Sequence, residues 1–173
     1  NEKMLHVQTV QKTAEKMIEE AKRIKEIVGG EIYIKIPIGE EGLKATRELK
    51  KLGIGMTMTA IFTPAQAMMA SKAGASFVAP YVNRLDTIVG DGIKVVAQIV
   101  EQFERYNMDC RVLAASFKNA EQVHKCAIAG CDCVTVSGDI LKALISHPMT
   151  DAAVEGFEND WYRSYKDKTI LDF

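Results

Sequence analysis

The sequence predicts an α/β protein built on a parallel sheet, and three observations predict it. Six apolar runs of strand length alternate with segments whose apolar residues recur at helical spacing. The connections are short and punctuated by glycine, at Gly29-Gly30, Gly39, Gly53, Gly74 and Gly130. Consecutive strands with a helix between them cannot close hairpins, so they run parallel and the helices cover them. Two architectures accommodate this alternation. An open doubly wound sheet takes six strands naturally, whereas a closed (β/α)8 TIM barrel needs two more units than the pattern supplies. On pattern alone the open sheet is favoured.

The elements follow in order. Residues 4–10 form a short strand in which Leu5, Val7 and Val10 flank Gln8. A helix over 13–28 places Ala14, Met17, Ile18, Ala21, Ile24, Ile27 and Val28 on one stripe, and Gly29-Gly30 stops it. The second strand, Ile32–Pro37, carries Lys35. Glu40 and Glu41 open the next helix, which buries Leu43, Ala45, Thr46 and Leu49 and has both acids at its positive end. Residues 54–60 make the third strand. Thr63-Pro64-Ala65-Gln66 then combines an N-cap threonine, an N1 proline and an N3 glutamine. Residues 76–81 make the fourth strand, followed by an unusually long loop over 82–92, in which Val89-Gly90-Asp91-Gly92 reads as flexible. A helix over 93–106, a strand over 111–115 and a helix opening at Asn119 with Gln122 come next. The sixth strand covers 133–136, a short helix 140–145, and a last helix 151–165 after the break at Pro148. The whole reads as one domain, 1–173, with the tail 166–173 left unassigned.

Composition narrows the function. With 47% apolar residues the chain buries a sizeable core. Twenty-two basic against 23 acidic side chains give a net charge of −1, so no field attracts nucleic acid or anionic lipid. No apolar run approaches the ~20 residues of a membrane span, and no signal-peptide pattern opens the chain. A cytoplasmic location is the expectation. Cys110, Cys126, Cys131 and Cys133 cluster near His124, but Cys131-Asp132-Cys133 lacks zinc-site spacing, and Cys126 shares an amphipathic helix with Val123 and Ile128. They read as reduced core thiols, and Met56, Met58, Met68 and Met69 as core filler.

The chemistry sits at the carboxyl ends of the strands, where Gln8, Lys35, Thr59, Tyr81 and Ser116 each follow an apolar run. In both candidate architectures these ends floor the ligand site. Lys35 faces away from Ile32, Ile34 and Ile36. In a poorly solvated interior its pKa falls and a neutral amine becomes a nucleophile toward a carbonyl carbon. The alternative is a lysine that blunts a sheet edge or snorkels to water. Tyr81, joined to Thr59 and Gln8 through a water, suits general acid–base work. Ser116 stands before a helix start that favours an anion, with Arg84 and Lys118 as charge partners or as solvated loop cations. Dinucleotide, Walker, nucleophile-elbow and H-E-x-x-H motifs are absent.

Four stretches are more specific: Ile34-Lys35-Ile36-Pro37 with Glu41-Gly42-Leu43, Val78-Ala79-Pro80-Tyr81-Val82-Asn83-Arg84, Leu113-Ala114-Ala115-Ser116-Phe117-Lys118, and Phe157-Glu158-Asn159-Asp160-Trp161. In this order they resemble the small class I aldolases of the fructose-6-phosphate aldolase type, within the transaldolase superfamily. The resemblance implies a (β/α)8 barrel, Lys35 as the Schiff-base lysine, and Gln8, Thr59 and Tyr81 around the catalytic water. It implies Ser116 and Arg84, with Lys118, at the substrate phosphate, and neither metal nor organic cofactor. A tyrosine at Tyr81 and a lysine at Lys118 match the aldolase branch over transaldolase. Homo-oligomeric pentameric rings, often paired into decamers, are implied, with the helix over 151–165 lying on a neighbour. By this match the strand at Leu5 is the third of the barrel and the first two βα units are missing. Because the chain begins at Asn1 rather than methionine, a longer natural protein is expected.

Overall fold

A computed structural model describes residues 4–173. The chain divides into two compact units, the first ending at Ser137 and the second spanning Gly138–Phe173. Among the described residues, the first unit holds six strands: β1 (Leu5–Gln8), β2 (Ile32–Pro37), β3 (Gly55–Ile61), β4 (Phe77–Pro80), β5 (Arg111–Ala114) and β6 (Cys133–Val134). They pair in parallel and in sequential order, β1-β2-β3-β4-β5-β6. Between them lie α1 (Ala14–Val28), α2 (Glu40–Lys51), α3 (Pro64–Ala73), α4 (Val82–Asp86), α5 (Gly92–Arg105) and α6 (Ala120–Ile128).

The order corrects the open doubly wound reading. A doubly wound sheet reverses its strand order once and so carries helices on both faces. Here nothing reverses, and right-handed crossovers place the helices that connect successive strands on one face. The core confirms this: Ile32, Ile34, Ile36, Met56, Met58, Val78, Val112 and Ala114 of the strands pack with Met17, Ala21, Ala45, Leu49, Ala67, Ala70, Val96 and Ile99 of the helices. The alternate residues, Lys35, Thr57, Thr59, Phe77 and Ala79, are outside that cluster. The sheet is therefore a curled half-barrel with an apolar convex face and a mixed concave one.

Local chemistry explains most elements. Thr63 and Gln66 form the full capping box that starts α3. Asn119 Oδ1 accepts from the Gln122 N–H at 2.8 Å to start α6. The side chain of Thr13 does not cap α1; instead Glu41 Oε2, from the first turn of α2, accepts the Ala14 N–H at 2.9 Å. Gly42 lets α2 lie on β2, since a Cβ there would sit 2.1 Å from the Pro37 carbonyl oxygen.

Several expectations need correction. The segment 82–92 is not one loop. Val82 is fully buried and leads α4, Asp91 accepts the Lys94 N–H at 2.8 Å as the N-cap of α5, and Gly92 packs against Val82. A five-residue helix is too short to leave a period in the sequence. Strand β6 shrinks to two residues. At the solvent ends of their helices Ile27, Val28 and Ile128 are exposed, and so is Met69, whereas Met56 and Met58 are buried as core filler.

All four cysteines are free. Cys110 and Cys126 are buried, and burial pushes both thiols up to about 12. Among the described residues no group of three His, Cys, Asp or Glu side chains is gathered to hold a metal, and no helix is long and apolar enough to cross a membrane.

The second unit holds α7 (Gly138–Ile145), α8 (Pro148–Tyr165) and a 3-10 turn, Ile170–Asp172. Helix α8 starts three residues earlier than the period suggested, with Pro148 at its first position and His147 Nδ1 accepting the Met149 N–H. The tail folds back, since Trp161 Nε1 donates to the Lys168 carbonyl at 2.6 Å and Tyr165 meets the Phe173 ring edge-on. No residue of α8 is buried. Val154, Phe157 and Tyr165 remain exposed along one face of it.

Candidate active site

Register sets the concave face in rows. Gln8 stands opposite Lys35, Lys35 opposite Thr57, Thr57 opposite Phe77, and Phe77 opposite Arg111. One step toward the carboxyl end, Pro37 stands opposite Thr59. One step toward the amino end, His6 stands opposite Tyr33. Lys35 is half-buried and shares its face with Gln8, Thr57 and Thr59.

At Thr59 two of the predicted groups, Thr59 and Tyr81, meet. Thr59, 2% exposed, donates from Oγ1 to the Tyr81 phenol oxygen at 3.1 Å. The β3 register shifts between Met58 and Ile61, and Ala60 adopts φ +57°, in the left-handed region. Such a bulge re-aims the side chains beside it. The Tyr81 ring is held edge-on by Phe62 at 5.7 Å, and the Arg84 guanidinium lies 4.7 Å over it. Gln8 Nε2 donates to the carbonyls of Thr9 and Lys35, at 3.0 and 3.1 Å. Both protons of its amide nitrogen are thereby used, and its carbonyl oxygen is what it can offer a water.

Ser116 closes β5 with φ +64°, and its carbonyl accepts the Asn83 N–H at 2.8 Å. Tyr81 bridges Ala115, so the turn carrying Ser116 and Lys118 lies beside the helix carrying Arg84. Arg84 and Lys118 are both exposed.

Beside and below Lys35 lies a cluster that sequence reasoning did not single out. His6 Nδ1 and Thr57 Oγ1 are 2.8 Å apart, the His6 and Tyr33 rings stack at 5.2 Å, and Phe77 meets both edge-on. Arg111 lies 4.1 Å over Phe77. Burial holds the His6 pKa below its usual value, and the positive charges of Lys35 and Arg111 lower it further. Burial raises that of Tyr33, helped by its hydrogen bond to Glu31. The signal was present, since His6 and Thr57 precede Gln8 and Thr59 by two residues and so share their face. An open cleft of about 410 Å³ between Lys25, Tyr33, Lys50 and Gly55 lies at the amino ends of the strands, opposite to the polar strand ends.

Two solved structures of similar fold are a mandelate oxidase variant with a monooxide FMN adduct and mandelate oxidase with benzoyl-formic acid. The first has TM-score 0.56 and 17% identity over 77% of this chain and 47% of its own. The second has TM-score 0.56 and 15% identity over 76% of this chain and 48% of its own. This chain thus spans about half the length of these proteins, and the likeness is one of fold alone. The sequence itself matches the Transaldolase/Fructose-6-phosphate aldolase family over residues 1–171. With that match covering nearly its whole length, the chain belongs to the transaldolase/fructose-6-phosphate aldolase family.

Proposed function

We propose that this chain carries the centre of a class I aldolase, part of a (β/α)8 barrel, that cleaves or forms fructose 6-phosphate-type sugars. The products are a dihydroxyacetone unit and glyceraldehyde 3-phosphate. The observation that carries the reading is the Thr59–Tyr81 hydrogen bond, at the carboxyl end of the sheet and on the face that bears Lys35 and Gln8. An amine that attacks a ketone needs a proton carrier at this place.

The Lys35 amine adds to the ketone carbon, and the carbinolamine loses water to give an iminium. The bond between the carbon beside the iminium and its hydroxyl-bearing neighbour then breaks. Its electron pair enters the iminium as an enamine, the hydroxyl proton leaves to a base, and the aldehyde is released. Protonation of the enamine and hydrolysis return dihydroxyacetone and the amine. Tyr81, with Thr59 donating to its oxygen, moves the protons through a water held by the Gln8 carbonyl. Ser116 and Arg84, with Lys118, bind the phosphate.

Transaldolase is the second reading, favoured by the family description itself. The enamine then passes to an acceptor aldehyde instead of being protonated and released. Cleavage of fructose 6-phosphate with and without erythrose 4-phosphate separates the two, and strict dependence on the acceptor sinks the aldolase reading. Borohydride reduction with dihydroxyacetone, followed by mass spectrometry, tests the Schiff base. An adduct on Lys35 is expected; a folded protein without one argues for a non-catalytic sugar-phosphate-binding or assembly subunit. The exposed Val154, Phe157 and Tyr165 of α8 support a ring assembly, pentamer or decamer, in which this helix lies on a neighbour. Sedimentation showing a monomer refutes that part.

A further inference from the structure

We propose that Gln122 is a positioning residue for the phosphate end of the substrate, tying the helix that carries Arg84 to the turn that carries Ser116 and Lys118. The inference rests on the assignment of Ser116 and Arg84 to the substrate phosphate. Gln122 sits in the first turn of α6, where a glutamine ordinarily serves as a cap and needs only its acceptor oxygen. Here Oε1 accepts the N–H of Lys118, the residue before the N-cap Asn119, at 2.8 Å. The other half of the amide is turned outward from the helix. Nε2 donates to Asp86 Oδ2 at 2.7 Å and reaches Asn83 Oδ1 at 3.3 Å.

These two acceptors flank Arg84 on α4. That helix has five residues, too few to hold its own shape in water. It is held from outside, by the Val82 and Asn83 N–H groups on the Ala115 and Ser116 carbonyls, by the Gly92 N–H on Asp86 Oδ1, and by Gln122. One carboxamide therefore joins both arms of the candidate phosphate site, through a backbone N–H on one and side-chain oxygens on the other. A shift of α4 moves Arg84 against Ser116, and misplacement of a binding group by about 1 Å is enough to cost a large factor in productive binding.

The variant Gln122→Glu keeps the acceptor for the Lys118 N–H but sets a carboxylate against Asp86, repelling α4. With dihydroxyacetone as donor, KM for glyceraldehyde 3-phosphate is expected to rise about tenfold or more, while KM for unphosphorylated glyceraldehyde and kcat stay within about twofold. Adding D86N restores a donor facing the new carboxylate and is expected to recover the KM. A cap alone cannot produce this split. Equal effects on both aldehydes, no effect, or failure of both Q122E and the Q122E/D86N double variant to fold would overturn the proposal. A wild type that takes both aldehydes with equal KM overturns the phosphate assignment and this inference with it. Absence of a borohydride-trapped Lys35 adduct in the wild type would instead remove the Schiff-base reading.

Discussion

Replacing Tyr81 by phenylalanine removes one oxygen from the concave face and leaves almost everything that holds the ring. The edge contact with Phe62 and the Arg84 guanidinium over the ring do not depend on the hydroxyl. What is lost is the bond from Thr59, whose hydroxyl is nearly out of reach of solvent. Leaving that group unpaired costs about 1–3 kcal/mol of stability. A domain with about 5–15 kcal/mol to spare stays folded after such a loss. The catalytic effect is of another size. Removing a positioned proton carrier costs about 10²–10⁴ in rate, or about 3–5 kcal/mol of barrier. The variant should therefore be folded by circular dichroism, melt slightly earlier, and cleave fructose 6-phosphate at least about a hundredfold more slowly. Lys35 should still be trapped by borohydride, since the amine itself is untouched. A Tyr81→Phe enzyme with kcat within about twofold of wild type would refute the proton-carrier role.

Three further outcomes follow from the geometry. Gly42→Ala puts a methyl group into the Pro37 carbonyl, forcing α2 away from the lysine strand, and should lower stability by about 1–3 kcal/mol in a thermal melt. Burial, and then the charges of Lys35 and Arg111, lower the folded pKa of His6 below the unfolded value of 6.5. The unfolded chain then binds more protons as pH falls below 6.5, and stability must drop through that window down to the folded pKa; melts from pH 7.5 to 5 should show this slope weakened in His6→Gln, and identical slopes would refute it. With thiols raised to about 12, Cys110 and Cys126 should resist a thiol reagent at pH 8 in the native protein and react in denaturant. Rapid native labelling of either would contradict their burial.

The alternation of β2 shows how far sequence reading reaches. Ile32, Ile34 and Ile36 turn to one side and Lys35 to the other whatever the partner strands do, because side chains along a strand alternate. Capping works at the same range, which is why Thr63 with Gln66 and Asn119 with Gln122 were legible as helix starts. Helix α4 was not legible, for its five residues complete barely more than one turn and are held by bonds to the turn after β5 and to α6 rather than by a period.

What the sequence by itself determined is local: an α/β alternation, the face on which each polar strand end stands, and the family, through motifs spread along the chain. The tertiary structure decided the strand order, and with it that the helices between the strands cover one face only and the sheet curls. It also decided that Thr59 reaches Tyr81, that His6 pairs with Thr57 beside Lys35, and that Gln122 serves α4 as well as its own helix. The reason is physical. Alternation and capping act within a few residues, whereas register between strands far apart in sequence is settled by how whole elements pack, and the side chains that meet across it are known only once they do.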